Sequence, residues 1–139
     1  MALETTVEQV DARVPVTIVA LDGELDASNF AALVEQVQGL YAAGTRHLLL
    51  DLSALRFMAS SGLVALHSIV RIMDGQAPDD AEAGWNALHA VGHDASGGST
   101  QAGVQLCGAQ PGVQRVLDRT GLSRMFMIHA DRAAGIAAF

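Results

Sequence analysis

Two hydrophobic rhythms alternate along the chain: short runs of β-branched or Leu-rich residues, and longer stretches with apolar positions every three or four residues. Val14 to Leu21 (Val-Pro-Val-Thr-Ile-Val-Ala-Leu) is of the first kind and reads as a strand. Pro15 has no N–H to give to a ladder, which places that end of the strand near an edge. Thr5 to Val10 predicts a weaker strand ahead of it, returning through Asp11–Arg13, and Asp22-Gly-Glu-Leu-Asp26 reads as a turn cluster. From Ala27 to Ala43 the rhythm changes. Phe30, Leu33, Val34, Val37, Leu40 and Tyr41 fall on one helical face. Asp26 or Ser28 is the expected N-cap, and Gly44 the closing C′ residue.

Arg46 to Leu52 follows almost at once as a continuous apolar run, the pattern of a strand buried on both faces of a parallel sheet. Strand, helix and strand form a βαβ unit with an expected right-handed crossover. After a linker, Ser60 to Met73 predicts a second helix, with Leu63, Leu66, Ile69, Val70 and Met73 inward. Later elements are a strand at Val104–Cys107, a helix at Pro111–Arg119 with Pro near N1, a strand at Met125–Ile128, and a short helix at Asp131–Phe139 capped by Asp131. Between Asp74 and Gly103 the pattern breaks. That stretch holds Pro78, the acids Asp79, Asp80 and Glu82, and a glycine-rich string from Gly92 to Thr100. Ala81 to Val91 has the spacing of one helix, with Trp85 and Leu88 on one side. A connection of this length is functional or mobile. The expected fold class is α/β: a mixed, mostly parallel sheet of four to five strands packed with about four helices, with an inserted loop or helix at 74–102.

Composition narrows the functions open to such a domain. The 139 residues fit one domain, 1–139, and half are apolar, so a packed core is available. The net charge is −7, with no Lys and eight scattered Arg, which argues against a nucleic-acid or anionic-membrane partner. An acidic surface suits a partner with a basic face, or serves solubility alone. Cys107 is the only cysteine, which excludes an internal disulfide and places the chain in the cytoplasm. Residues 1–11 lack the apolar segment of a secretory leader, and no apolar run reaches the roughly 18–20 residues of a membrane span.

The stretch richest in chemistry is Asp51-Leu-Ser-Ala-Leu-Arg-Phe-Met-Ala-Ser-Ser-Gly-Leu63, running from a buried strand into a helix. Loops after the carboxyl ends of strands are where sites gather in open α/β sheets. Ser60 stands at the expected N-cap, a structural role worth about 1 kcal/mol. The same position offers a second role. Unpaired N–H groups and a partial positive charge at a helix start accommodate a phosphoserine, which adds about −1.5 to −2 charges.

Gly23-Glu-Leu-Asp26, the Asp51–Leu63 stretch, and Cys107-Gly-Ala-Gln-Pro-Gly-Val-Gln-Arg-Val-Leu-Asp-Arg-Thr-Gly-Leu122 together resemble the STAS domain shared by sulfate transporters and anti-sigma factor antagonists. The resemblance covers most of the chain apart from Asp74–Ala102. It implies an antagonist that binds an anti-sigma factor or switch-protein serine kinase when unphosphorylated. The kinase phosphorylates the motif serine and a metal-dependent, PP2C-like phosphatase restores it. Ser60 matches the phosphorylated serine and Ser61 the neighbouring hydroxyl residue. Glu24, Asp26, Ser60, Ser61 and Gly62 are the implied partner-binding residues, with no cofactor and no metal. The expected state is a monomer or weak dimer. The chain departs from the family pattern in two places: Ala59 stands where Asp usually precedes the serine, and the Asp74–Ala102 excursion replaces a short connection. Trp85 within it is either a partner anchor or folded onto the domain.

Other readings carry less. As a subunit of a transporter, a lipid-trafficking complex or a stress-sensing assembly, the domain would act without phosphorylation. A serine hydrolase would place Ser60 on a nucleophile elbow, but Met58 occupies the position of its first Gly and His67 lies beyond Ser60 on the helix. His89 and His93 have the spacing of a shared metal pair, yet Gly92 falls between them and no zincin Glu is present. No Gly-x-Gly-x-x-Gly or Walker sequence occurs, so nothing supports nucleotide binding.

Overall fold

The computed structural model describes residues 3–75 and 103–139. The segment Ala81–Val91, Trp85, His89 and His93 lie outside the described residues. The strands are β1 (Leu3–Asp11), β2 (Pro15–Leu25), β3 (Leu48–Met58), β4 (Val104–Cys107) and β5 (Ile128–His129). The helices are α1 (Phe30–Ala42), α2 (Ser60–Met73), α3 (Pro111–Thr120) and α4 (Arg132–Ala137), with a 3-10 turn at Leu122–Arg124. One five-stranded sheet in the order β1-β2-β3-β4-β5 is antiparallel between β1 and β2 and parallel elsewhere. The α/β class and the mostly parallel sheet are as the hydrophobic pattern predicts. No helix among the described residues is long and apolar enough to cross a membrane.

Burial follows the strand pattern. Leu48 to Leu52 is buried at every position, as a strand covered on both faces must be. On one face, Leu48, Leu50 and Leu52 pack with Leu33 and Val37 of α1, Leu63, Leu66 and Ile69 of α2, and Val113 and Leu117 of α3. On the other, Val16, Ile18, Leu49 and Cys107 form a smaller cluster with Ile136 and Phe139 at the end of the chain. Gly135 lets α4 approach that closely, since a Cβ there would sit 2.7 Å from Leu49 Cδ1. Cys107 has no exposure, and burial pushes its thiol up to about 12, with the Asp51 charge adding to the effect. It is a packing residue.

Charge fastens α4 in place. Arg132 donates from Nε and Nη2 to Asp51 Oδ2 at 3.1 and 2.9 Å, and from Nη1 to Glu8 Oε2 at 2.9 Å. Asp51 Oδ1 accepts from the Ser53 backbone N–H at 3.0 Å and from the Ser53 hydroxyl at 2.7 Å. One carboxylate thus joins β3 to α4, and one guanidinium joins both to β1. Asp131 caps the helix by accepting from Ala134 N–H at 2.9 Å. Asp131→Ala should therefore cost about 1 kcal/mol in urea unfolding. An unchanged midpoint would show that packing alone holds the helix.

Several boundaries differ from those expected. β2 continues through Asp22–Leu25 where a turn cluster was expected, and β3 continues through Ser53–Met58 where a linker was expected. The pairing of these strands shifts register between Ala20 and Asp22 and again between Gly23 and Glu24, which breaks the apolar alternation there. β5 is shorter than Met125–Ile128. Gly121, at φ 77°, turns the chain into the 3-10 segment, and Met125 and Phe126 enter the core instead of the ladder.

Candidate functional site

The carboxyl ends of β2 and β3 finish side by side, with Glu24 opposite Phe57 and Leu25 opposite Met58. Both strands then turn into helices, so Glu24–Asp26 and Ala59–Ser61 meet at one end of the sheet. A backbone bond fastens the two turns together: Ala59 N–H donates to Leu25 O at 2.9 Å. Asn29 secures the first turn. Its Nδ2 donates to Glu24 O at 2.9 Å, and its Oδ1 accepts from Asp26 N–H at 3.0 Å.

Asn29, and neither Asp26 nor Ser28, is the N-cap of α1. Its side chain bridges back to Glu24 and Asp26, so it makes no cap bond and the helix starts later than Ala27. Asp26 instead accepts from the Ser28 hydroxyl and from the Ser28 N–H at 2.9 Å. These two bonds hold its carboxyl below the ordinary carboxylate range, and it stays ionised at neutral pH.

Ser60 is likewise not the N-cap of α2; that position belongs to Ala59, in extended backbone with φ −79° and ψ 173°. The bond from Ala59 to the end of β2 keeps this residue extended, so the helix begins at Ser60 itself. Ala59 has no side chain able to cap, and no side-chain cap bond is made. Ser60 is exposed, Ser61 half-buried and Gly62 buried. Gly62 is confined: a Cβ there would lie 2.5 Å from Met58 Cγ and 3.1 Å from Leu25 Cγ and Cδ2. Glycine lets the first turn of α2 rest on the two strand ends, which fixes where Ser60 stands.

All five expected partner-contact residues, Glu24, Asp26, Ser60, Ser61 and Gly62, therefore belong to one end of the molecule. The first four carry some exposed surface, while Gly62 supports them from below. His67 does not join them. It lies seven residues along α2, about 10 Å up the axis, with 1% exposure, so its imidazole is not beside Ser60. Residue patterning missed Phe57 and Arg56. Phe57 stands exposed beside Glu24, and Arg56 lies 3.8 Å from Asp22. The signal was faint: it needs Ser53–Met58 to be recognised as a strand.

A parallel sheet edged by one antiparallel strand, with an exposed serine opening the helix after β3, defines a domain class. The STAS domain matches residues 7–76, and the chain belongs to that family. No curated protein matches it. Among solved structures the chain resembles an anti-sigma factor antagonist from Mycobacterium paratuberculosis, with 22% identity, a TM-score of 0.70, and coverage of 99% of this chain and 93% of that one. A Thermotoga maritima protein described as an anti-sigma factor antagonist gives 19% identity and a TM-score of 0.69, covering 96% and 92%. The Bacillus cell fate determinant SpoIIAA in its phosphorylated form gives 18% identity and a TM-score of 0.60, covering 96% and 97%. These likenesses establish a shared fold.

Proposed function

We propose that the protein is an anti-sigma factor antagonist of a partner-switching pathway in the cytoplasm, a non-catalytic regulator controlled by phosphorylation of Ser60. Unmodified, it binds an anti-sigma factor or switch-protein serine kinase through Glu24, Asp26, Ser60 and Ser61, and so releases a sigma factor. Phosphorylation ends the complex, and a PP2C-like phosphatase restores it. The observation that carries the reading is the exposed Ser60 hydroxyl at the first residue of a helix whose start is bound to the neighbouring strand end. Likeness in fold to antagonists, one of them solved in a phosphorylated form, supports it.

Electrostatics explains how one phosphate acts as a switch. A kinase that modifies Ser60 brings the phosphates of its own nucleotide to that hydroxyl. The product phosphoserine then faces like charge and must lose its hydration to stay in the interface. The positive start of α2 tolerates the phosphate, so the antagonist stays folded while the complex fails.

The test begins by recovering partners on Ser60→Ala protein, with phosphopeptide mass spectrometry across Arg56–Arg71. The purified partner is then titrated with the parent protein, Ser60→Ala and Ser60→Asp. Ser60→Ala should bind like the parent and resist release by ATP. Ser60→Asp should bind about tenfold to a hundredfold more weakly, a loss of roughly 1.4–2.7 kcal/mol. Equal affinity of all three forms defeats the phosphorylation reading. It would favour an interaction module that works unmodified, in keeping with Ala59 ahead of the serine.

A further inference from the structure

Few large apolar side chains are exposed among the described residues: Val7, Met127 and Phe57, of which Phe57 is the most exposed at 51%. Its position explains why. Leu25 and Met58 are buried under the helices α1 and α2, so their strand neighbours Glu24 and Phe57 point to the opposite face. Among the described residues the helix on that face is α4, which covers Leu49 and Cys107. α4 has six residues and is about 9 Å long, whereas Phe57 lies roughly 26 Å along β3 from Leu49. The residue keeps about half of its surface exposed. Burying it is favourable in proportion to the apolar area removed from water, which a binding partner can recover.

Its surroundings set the partner's chemistry. Glu24 is its cross-strand neighbour, Asp22 lies two residues back along β2 opposite Ala54, and Asp26 stays ionised past the strand end. Glu4 stands opposite Asp22 on β1. Against these four acids Arg56 is the nearby cation, exposed and 3.8 Å from Asp22, and it neutralises little of the field. Ser60 follows Phe57 by three residues at the same end of the sheet.

We infer that Phe57 is the apolar anchor of the Ser60 surface, and that the partner carries an apolar pocket rimmed by Lys or Arg side chains that seats the ring between Glu24 and Asp22. The inference rests on the partner-switching reading and adds a recognition element to it. Phe57 supplies contact area at the centre, the acids supply steering and orientation, and Ser60 supplies the switch. Phe57 contributes whether or not Ser60 is modified, so the phosphate acts on a contact that is already formed.

The experiment titrates the purified partner recovered on Ser60→Ala protein with Phe57→Ala, Phe57→Trp, Ser60→Asp and the parent protein, at low and high salt. Phe57→Ala should bind about thirtyfold or more weakly while its thermal midpoint falls only slightly, because about half of the residue is exposed. Phe57→Trp should keep most of the affinity, and its emission should shift blue on binding, read as a difference from the parent, which carries Trp85. Affinity of the parent should fall as salt rises. If Phe57→Ala binds within threefold of the parent while Ser60→Asp still weakens binding, the anchor is overturned and the switch stands. If Phe57→Ala weakens binding while Ser60→Asp does not, the switch is overturned and the anchor stands. Loss of neither affinity overturns both.

Discussion

Gly62→Val is expected to lower the unfolding free energy by about 2–3 kcal/mol, enough to move a urea midpoint well clear of the parent's. A Cβ at this position meets Met58 Cγ at 2.5 Å, a separation that forces something to move. Met58 and Leu25 are buried, at 3% and 0% exposure, so neither side chain can yield into solvent without leaving the core. Overpacking of that kind costs about 1–3 kcal/mol. Valine returns only a few tenths through helix propensity over glycine. Alanine carries the same Cβ but neither of the two further methyl groups, and it offsets the clash more fully. It gains close to 1 kcal/mol of propensity, so Gly62→Ala should fall within about 1 kcal/mol of the parent. A valine variant as stable as the parent would show that the start of α2 is not pinned to the strand ends.

Asp51→Ala should be of similar size, about 2–3 kcal/mol. It removes the acceptor of two Ser53 bonds and leaves the Arg132 fork without its carboxylate. Loss of one partner from a fully buried pair costs about 3–5 kcal/mol, and the figure is reduced here because the Arg132 side chain is 38% exposed. The effect should depend on pH. Burial works to raise the Asp51 pKa, but the Ser53 bonds and the Arg132 bonds and charge outweigh it, and the net shift is downward. A carboxyl with its folded pKa below the unfolded value contributes its full stability above about pH 4 and loses it as pH falls through the folded value. The gap between parent and Asp51→Ala should therefore be wide at pH 7 and narrow toward pH 2. A gap of constant width would assign the loss to packing.

The elements with strong periodicity were legible in the sequence. α2 begins and ends at Ser60 and Met73 as its apolar spacing predicts, β4 at Val104 and Cys107, and α3 within one residue at its end. The ends of β2 and β3 were not. Gly23 and the acids around it have turn chemistry, and the register shifts beside them remove the alternation by which strands are recognised. The cap of α2 was misassigned for a related reason. Serine before an apolar run signals a cap locally, whereas the bond from Ala59 to Leu25 depends on a strand more than thirty residues earlier. Arg132, Asp51 and Glu8 are separated by 81 and 124 positions and have no local pattern to reveal them. Ser60 itself was legible because its motif is contiguous. The exposure of Phe57 was not, since it depends on how short α4 is.

The direction of the chain through this architecture has a practical consequence for the long connection between α2 and β4. α2 leaves the Ser60 end and finishes beside Tyr41, whose hydroxyl lies 3.5 Å from where a Cβ on Gly75 would be. The chain returns at Gly103, whose carbonyl accepts from Leu48 N–H at 2.9 Å, where β3 begins. The first attachment point therefore sits about 22 Å of helix from the hydroxyl, and the second roughly 30 Å of strand from it. Length added or removed at those junctions spares the geometry of the opposite pole. A reporter or affinity handle spliced there would be attached at the pole opposite Ser60, making this the natural site for labelling the protein.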